Sequence, residues 1–457
     1  MENSDGAMLA GTFYLICSLV VITSAFRRSR FSHLLIFFEY FYILGLGVFP
    51  VLASAGAIAL PNSAISYNNA TGNILNLSYL HLVSYSVGML LGWASFRNQA
   101  NKLGAYVAGI ASRNAIDNTL VFYSVASFSV ILMLTYFAIS GFTSAITNAG
   151  AIRGGDFASF AGLEQYQALK TASQIGIFAV IFVPYFIIKK PQSLAPVLLV
   201  LISIACGFYL LSAARVVFFN TIILYIIFMF MYKRISIGII LLSVVGFSAI
   251  AFVMLFGKVA GVALGLLLEG NELDFGALPE NFSTYFFQHF SHLLYSVDAG
   301  VRNFNSYGPV ITADVLLSPL GFIPSFVFTG IGLDYLNYKY VPPASQLCFI
   351  NTEYFDVDSP GSIPPYFVGV SAYIFPIVGG FIFGWVKFYS YSVVAHALSR
   401  LRSRPELLWL PLLLLLIGNN LILFIPTTIA LATFLMTVLY CALSLRRHSK
   451  KLIPGAV

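Results

Sequence analysis

Charge is what this chain has least of. Asp, Glu, Lys and Arg make up 9% of its 457 residues, against 59% hydrophobic residues and a mean hydropathy of +0.88. Soluble domains carry about 25% charged residues, so this composition excludes a water-soluble globule able to cover its own surface. Cysteine is scarce too: of the four, Cys17, Cys206 and Cys441 fall in apolar runs, leaving Cys348 without a partner. That excludes a disulfide framework. The sequence also lacks a nucleotide-binding glycine loop, a metal-ligand cluster, an internal repeat and a low-complexity tract. Its first apolar run is followed by positive charge rather than preceded by it, the opposite of a cleavable signal.

What the chain does have is long apolar runs. A bilayer-crossing helix needs roughly 20 mostly apolar residues. Such runs occur near 7–26, 33–60, 78–96, 119–140, 174–188, 195–213, 216–232, 235–256, 366–386, 407–425 and 427–445. The expectation is an all-α polytopic membrane protein of about 11 transmembrane helices with a long periplasmic loop. Residues 1–256 hold spans 1–8, 257–365 form the loop, and 366–457 hold spans 9–11 and a cytoplasmic tail.

The sparse charges are sorted by sign. Of 24 Lys and Arg residues, 18 fall in alternate joints: Arg27, Arg28 and Arg30; Arg97, Lys102 and Arg113; Lys189 and Lys190; Lys233 and Arg234; Lys387, Arg400, Arg402 and Arg404; Arg446, Arg447, Lys450 and Lys451. The positive-inside rule makes these joints cytoplasmic. The remaining six are Arg153, Lys170, Arg215, Lys258, Arg302 and Lys339, and 14 of the 17 acidic residues share their face. Asp117 and Glu406 fall inside, while Glu39 lies within an apolar run, as a polar contact inside the bundle. The pI of 9.1 therefore reports membrane orientation and gives no reason to expect a nucleic-acid partner.

The stretch 257–365 is long for a joint between spans. Within it, FSTYFFQHFSHLLYSVDAGVRNF reads as a helix lying at the membrane surface. VLLSPLGFIPSFVFTGIGL is apolar but broken by Pro319 and Pro324, and reads as interfacial or re-entrant. Three outer arginines are candidate pyrophosphate-binding residues, because a guanidinium fork matches phosphate geometry. Arg215 sits at a very short turn in LLSAARVVFF. Arg302 has Asp298 four residues earlier, which is equally the spacing of a surface ion pair. Arg153 is flanked by glycines in AIRGGDF. His289 and His292 share a helical face, but without a third ligand they read as an interfacial pair rather than a metal site. Glu353, Asp356 and Asp358 cluster before IPPYFVG, where a carboxylate can serve as a general base toward a hydroxyl.

These features resemble a known family. The span count, the late outer loop, the arginine of SAARVVFF and the stretch SIPPYFVGVSAYIFPIVGGFIFGW are similar to the Wzy-type O-antigen polymerases and related lipid-linked repeat-unit polymerases. The paired Arg-x10-Gly loop motif of some members is absent, since Glu164 and Ala313 stand where glycines would follow Arg153 and Arg302. The resemblance implies a metal- and cofactor-independent glycosyltransferase of the bacterial inner membrane, with its site facing the periplasm. It implies an undecaprenyl-pyrophosphate-linked donor and acceptor, surrounding membrane lipid and a chain-length regulator protein as partners. For that reaction the acidic cluster offers the base, Asp358 first and Glu353 second; Arg215, within the family-like stretch, is the first candidate at the pyrophosphate, with Arg302 and Arg153 beside it on their own residue pattern. An O-antigen ligase, with lipid A core as acceptor, and a polysaccharide or lipid transporter are the alternative readings.

Overall fold

The computed structural model describes residues 3–28, 39–57, 74–95, 97–113, 118–141, 169, 172–176, 282–310, 366–401 and 435–443. Among them every regular element is helical and no strand occurs. In chain order these are α1 (Asn3–Arg28), α2 (Glu39–Ser54), α3 (Asn76–Ala94), α4 (Arg97–Arg113), α5 (Asn118–Ser140), α6 (Phe282–Tyr307), α7 (Tyr366–Ile374) and α8 (Val378–Leu401). A 3-10 turn covers Gln174–Gly176, and residues 435–443 are helical.

Among the described residues two helices are long and apolar enough to cross a membrane: Asp5–Ala25 of α1, 21 residues, and Val121–Ile139 of α5, 19 residues. They coincide with the first and fourth expected spans. Asp5 in the first turn of α1 suits the positive end of the helix dipole. The expected spans at 195–213, 216–232, 235–256 and 407–425 lie outside the described residues.

Packing is organised by glycines that let backbones touch. On α3, a Cβ added to Gly88 would collide with the carbonyl oxygen of Phe381, and one on Gly92 with that of Trp385. From the other side, a Cβ on Gly384 would collide with the carbonyl oxygen of Tyr85, and one on Gly380 would stand 2.8 Å from that of His81. Gly88/Gly92 and Gly380/Gly384 are thus two small-xxx-small pairs meshed along one seam. The matched positions rise together, so α3 and α8 run parallel. Ser95, extended at ψ 154, then bends the chain into α4. That helix continues along α8 with Gly104 against Val393 and Ala397.

The seam has a strained end. The expected span 366–386 is in fact two helices that double back at Pro376, α7 antiparallel to α8. Phe367 packs on Phe383 at 4.6 Å between ring centroids, and Ser371 faces Gly379. Ile377 adopts φ 65, a conformation a β-branched side chain avoids. Two side chains of α3 hold it there. The Ile377 N–H donates to His81 Nδ1 at 3.1 Å, and the Ser84 hydroxyl donates to the Ile377 carbonyl at 2.7 Å. Proline supplies no amide donor, so the break falls here, and α8 runs on to Leu401 instead of ending near residue 386.

The stretch expected to lie on the membrane surface is helical, as α6, but it is not superficial. Phe290, Leu293, Leu294, Val297 and Val301 are at most 3% exposed. They pack against α2, where Gly45 lets the Phe290 carbonyl come within 2.5 Å of an added Cβ. Gly45 of α2, and Gly300 of α6 itself, whose added Cβ would stand 2.9 Å from the Tyr373 amide nitrogen, remove the side-chain bulk that would keep α6 outside.

The glycine seam makes a direct prediction. Gly384→Leu separates α3 from α8 and abolishes the monodisperse folded protein in detergent gel filtration. Gly109→Ala on α4, where an added Cβ meets nothing within 4 Å, leaves elution unchanged and raises thermal stability by roughly 0.5–1 kcal/mol through helix propensity.

Candidate functional site

Two polar constellations stand out among the described residues, one inside the bundle and one at its end. The inner one joins α1, α2, α3 and α8. Lys387 Nζ lies 2.6 Å from Glu39 Oε1, and the two residues are 1% and 2% exposed. The Tyr14 hydroxyl donates to Glu39 Oε2 at 3.2 Å. The ammonium also lies 3.3 Å from the centroid of the Tyr42 ring, with Tyr85, Phe388 and Tyr391 between 5.7 and 5.9 Å. An ammonium over aromatic faces gains about 2 kcal/mol or more when desolvated. This overturns the placement of Lys387 in a cytoplasmic joint: α8 continues for 24 residues, so Lys387 falls inside the helix, on its packed face.

The helix bearing Glu39 changes pitch just beyond it. Ile43–Val48 is π-helical, with Gly45, Leu46 and Gly47 buried. A π-helical turn shifts the face that a helix presents and recurs at functional sites. Here it carries Glu39 toward Lys387 on one side while Gly45 and Gly47 face α6 and α1. The two charges neutralise each other, an arrangement suited to fixing helices rather than making bonds.

The second constellation lies where α3 begins. Asp298 on α6 is 1% exposed. Its Oδ1 accepts the Leu75 N–H at 2.8 Å and the Ser78 hydroxyl at 2.7 Å; its Oδ2 accepts Arg302 Nε at 2.7 Å. Leu75 cannot cap α3 with a side-chain oxygen, and Asp298 supplies that acceptor from across the bundle. Arg302 is held one turn further along α6, with 34% of its side chain exposed.

Two histidines complete this region. His292 Nε2 lies 2.7 Å from the Tyr366 hydroxyl, with the rings 5.1 Å apart. His81 accepts at Nδ1 from Ile377, so its proton sits on Nε2, which faces the Val368 carbonyl at 3.1 Å and Ser371 Oγ at 2.9 Å. Both are packing links. No group of three or more His, Cys, Asp or Glu able to hold a metal occurs among the described residues.

Of the five candidate site residues, Arg302 is described and forms the i,i+4 pair that its spacing allowed. Arg215, Arg153, Asp358 and Glu353 lie outside the described residues. Tyr366, eight residues after Asp358, packs on Tyr42 at 6.2 Å between centroids. The chain therefore enters α7 from beside the inner cage and runs outward, the reverse of the direction expected for 366–386. Sequence reading missed the Glu39–Lys387 pair. Its signals were an apolar, aromatic pattern running unbroken past Lys387 and a second buried charge of opposite sign.

No family model, curated protein or solved structure matches this chain.

The Asp298 geometry predicts an asymmetry between the partners of one ion pair. Asp298→Ala strands the Leu75 amide, the Ser78 hydroxyl and Arg302 together, and lowers stability by at least about 2 kcal/mol. Arg302→Gln removes one part-exposed contact and costs under about 1 kcal/mol. Thermal unfolding of the two variants in one detergent checks this; equal losses contradict the capping role.

Proposed function

We propose that this chain is a membrane glycosyltransferase that polymerises undecaprenyl-pyrophosphate-linked oligosaccharide repeat units into O-antigen or a related surface polysaccharide. The site faces the periplasm of a bacterial inner membrane. A hydroxyl on the incoming unit attacks C1 of the reducing-end sugar of the growing glycan. The bond from C1 to the pyrophosphate oxygen breaks, and undecaprenyl pyrophosphate leaves. Asp358 or Glu353 accepts the hydroxyl proton. Arginines stabilise the charge that develops on the pyrophosphate, and no metal or nucleotide is needed because the donor is already activated.

The observation that carries this reading is an arginine fixed at the expected outer end of the bundle. Topology disfavours cations on that face, yet Arg302 is kept there by Asp298, itself locked by two further donors. A guanidinium held this way needs little reorganisation to meet a phosphate. Sorting of the remaining charge supplies the orientation, and the family resemblance implies the substrate class.

A transporter of lipid-linked glycan is the second reading, favoured by one specific observation. Buried ionisable residues and helices that turn back inside the bundle are features of secondary transporters. The Glu39–Lys387 pair is a buried ionisable pair of that kind.

Complementation of a deletion strain separates the polymerase from the other readings. Loss of a polymerase leaves lipid A core carrying one repeat, whereas loss of a ligase or of a transporter leaves bare core. Under the polymerase reading Arg215→Ala abolishes long glycan at unchanged protein level, a loss on the order of 10²–10³ in rate. Either Asp358→Asn or Glu353→Gln does the same. Normal chain lengths in all three variants would overturn the site.

A further inference from the structure

Helix α4 has three faces, and among the described residues one of them is fully packed into the bundle. Ala100, Gly104, Ala108 and Ala111 are buried, and the added Cβ of Gly104 would stand 2.9 Å from the Val393 carbonyl and 3.0 Å from the Ala397 amide of α8. At 100° per residue, a second flank gathers Leu103, Tyr106, Val107 and Ile110. Of these Leu103 is 45% and Tyr106 66% exposed. A third flank gathers Asn98, Lys102, Ser112 and Arg113, all exposed. Arg97 adds a further exposed cation at the start of the helix, which contains no acidic residue.

The depth of this helix follows from its neighbours. Tyr14, bonded to Glu39, lies beside the midpoint of the Asp5–Ala25 span, so the Glu39–Lys387 pair marks mid-membrane. Val393 and Ala397 come six and ten residues after Lys387 on α8, about 9–15 Å further along the axis. Half the hydrocarbon thickness is about 15 Å. Gly104 is therefore at the boundary between acyl chains and headgroups, on the side the basic joints mark as cytoplasmic.

We infer that α4 leaves the bilayer alongside α8, with Lys102 and Arg113 on either side of the phosphates of anionic phospholipids in the inner leaflet and binding them, while Leu103 and Tyr106 stand at the acyl-chain boundary. Cations beside an exposed apolar flank, with no carboxylate between them, complement a negatively charged lipid surface. The inference rests on the bilayer orientation proposed above and is independent of the reaction catalysed. Bound lipid clamps α4 to α8 and thereby braces the cytoplasmic end of the α3–α8 seam.

The test uses the full-length protein in detergent, titrated with phosphatidylglycerol, phosphatidylcholine or inorganic phosphate while its thermal midpoint is followed. Phosphatidylglycerol raises the midpoint saturably, the effect weakens with salt, and phosphatidylcholine does little. Lys102→Gln/Arg113→Gln lowers the apparent affinity for phosphatidylglycerol roughly 30-fold, as expected for two basic side chains at a charged surface. Its lipid-free midpoint matches that of the unaltered protein. Equal responses to the two lipids, an unchanged affinity in the double variant, or a full response to inorganic phosphate would overturn the assignment. A failure of the orientation itself shows separately: Lys102→Cys in a cysteine-free background would then react with an impermeant maleimide from outside intact cells.

Discussion

A carboxylate and an ammonium 2.6 Å apart, both out of contact with water, set the terms for the rest of this bundle. Removing either charge leaves the other stranded where nothing solvates it. Four helices are tied to this point: α1 through Tyr14, α2 through Glu39 and Tyr42, α3 through Tyr85, and α8 through Lys387 and Tyr391. Apolar packing alone gives weak register in a membrane, because lipid tails compete with side chains on nearly equal terms. A single paired charge in an aromatic cage removes that ambiguity, since sliding α8 by one turn would carry the ammonium away from its partner.

The other close contacts work outward from that point. Toward one end, the meshed glycines of α3 and α8 lead to Pro376, where His81 and Ser84 hold Ile377 in a backbone conformation it would not otherwise keep. Further out, Asp298 caps α3 and grips Arg302. Toward the other end, α4 follows α8 past Gly104 to the basic surface. The charge pair thus lies between an end that carries an anchored arginine and an end that carries the cations of α4. This spatial order is what the proposed periplasmic glycosyl transfer draws on.

Helical class and the long apolar helices α1 and α5 were legible in the sequence, because an apolar run of that length is more than a strand uses. Glu39 was recognised as an interior contact because it lies within an apolar run. Its partner was not, because counting Lys387 with Arg400, Arg402 and Arg404 treats proximity in sequence as proximity to the membrane surface. The pattern GGFIFGWVKFYSYSVVAHAL continues helical and largely apolar well past Lys387, and that continuity outweighs one charge. The turn at Pro376 was hidden for a related reason: α7 and the start of α8 are equally apolar, so hydropathy merges two antiparallel helices into one span. The glycine spacing at Gly88/Gly92 and Gly380/Gly384 was visible, but which pairs would mesh depended on tertiary contact. Of the site residues, Arg302 illustrates the limit of spacing alone, since i,i+4 to Asp298 fits both a surface pair and the anchored arginine found here.

Glu39 and Lys387 act as one unit that fixes the bundle. The most direct measurement is a double-mutant cycle on thermal stability in detergent, using Glu39→Gln, Lys387→Met and the pair together. Each single change should cost about 3–5 kcal/mol, because it leaves an uncompensated buried charge, while the double variant should be more stable than either single one. Additive losses, or single variants as stable as the unaltered protein, would show that the pair is not what holds these helices together.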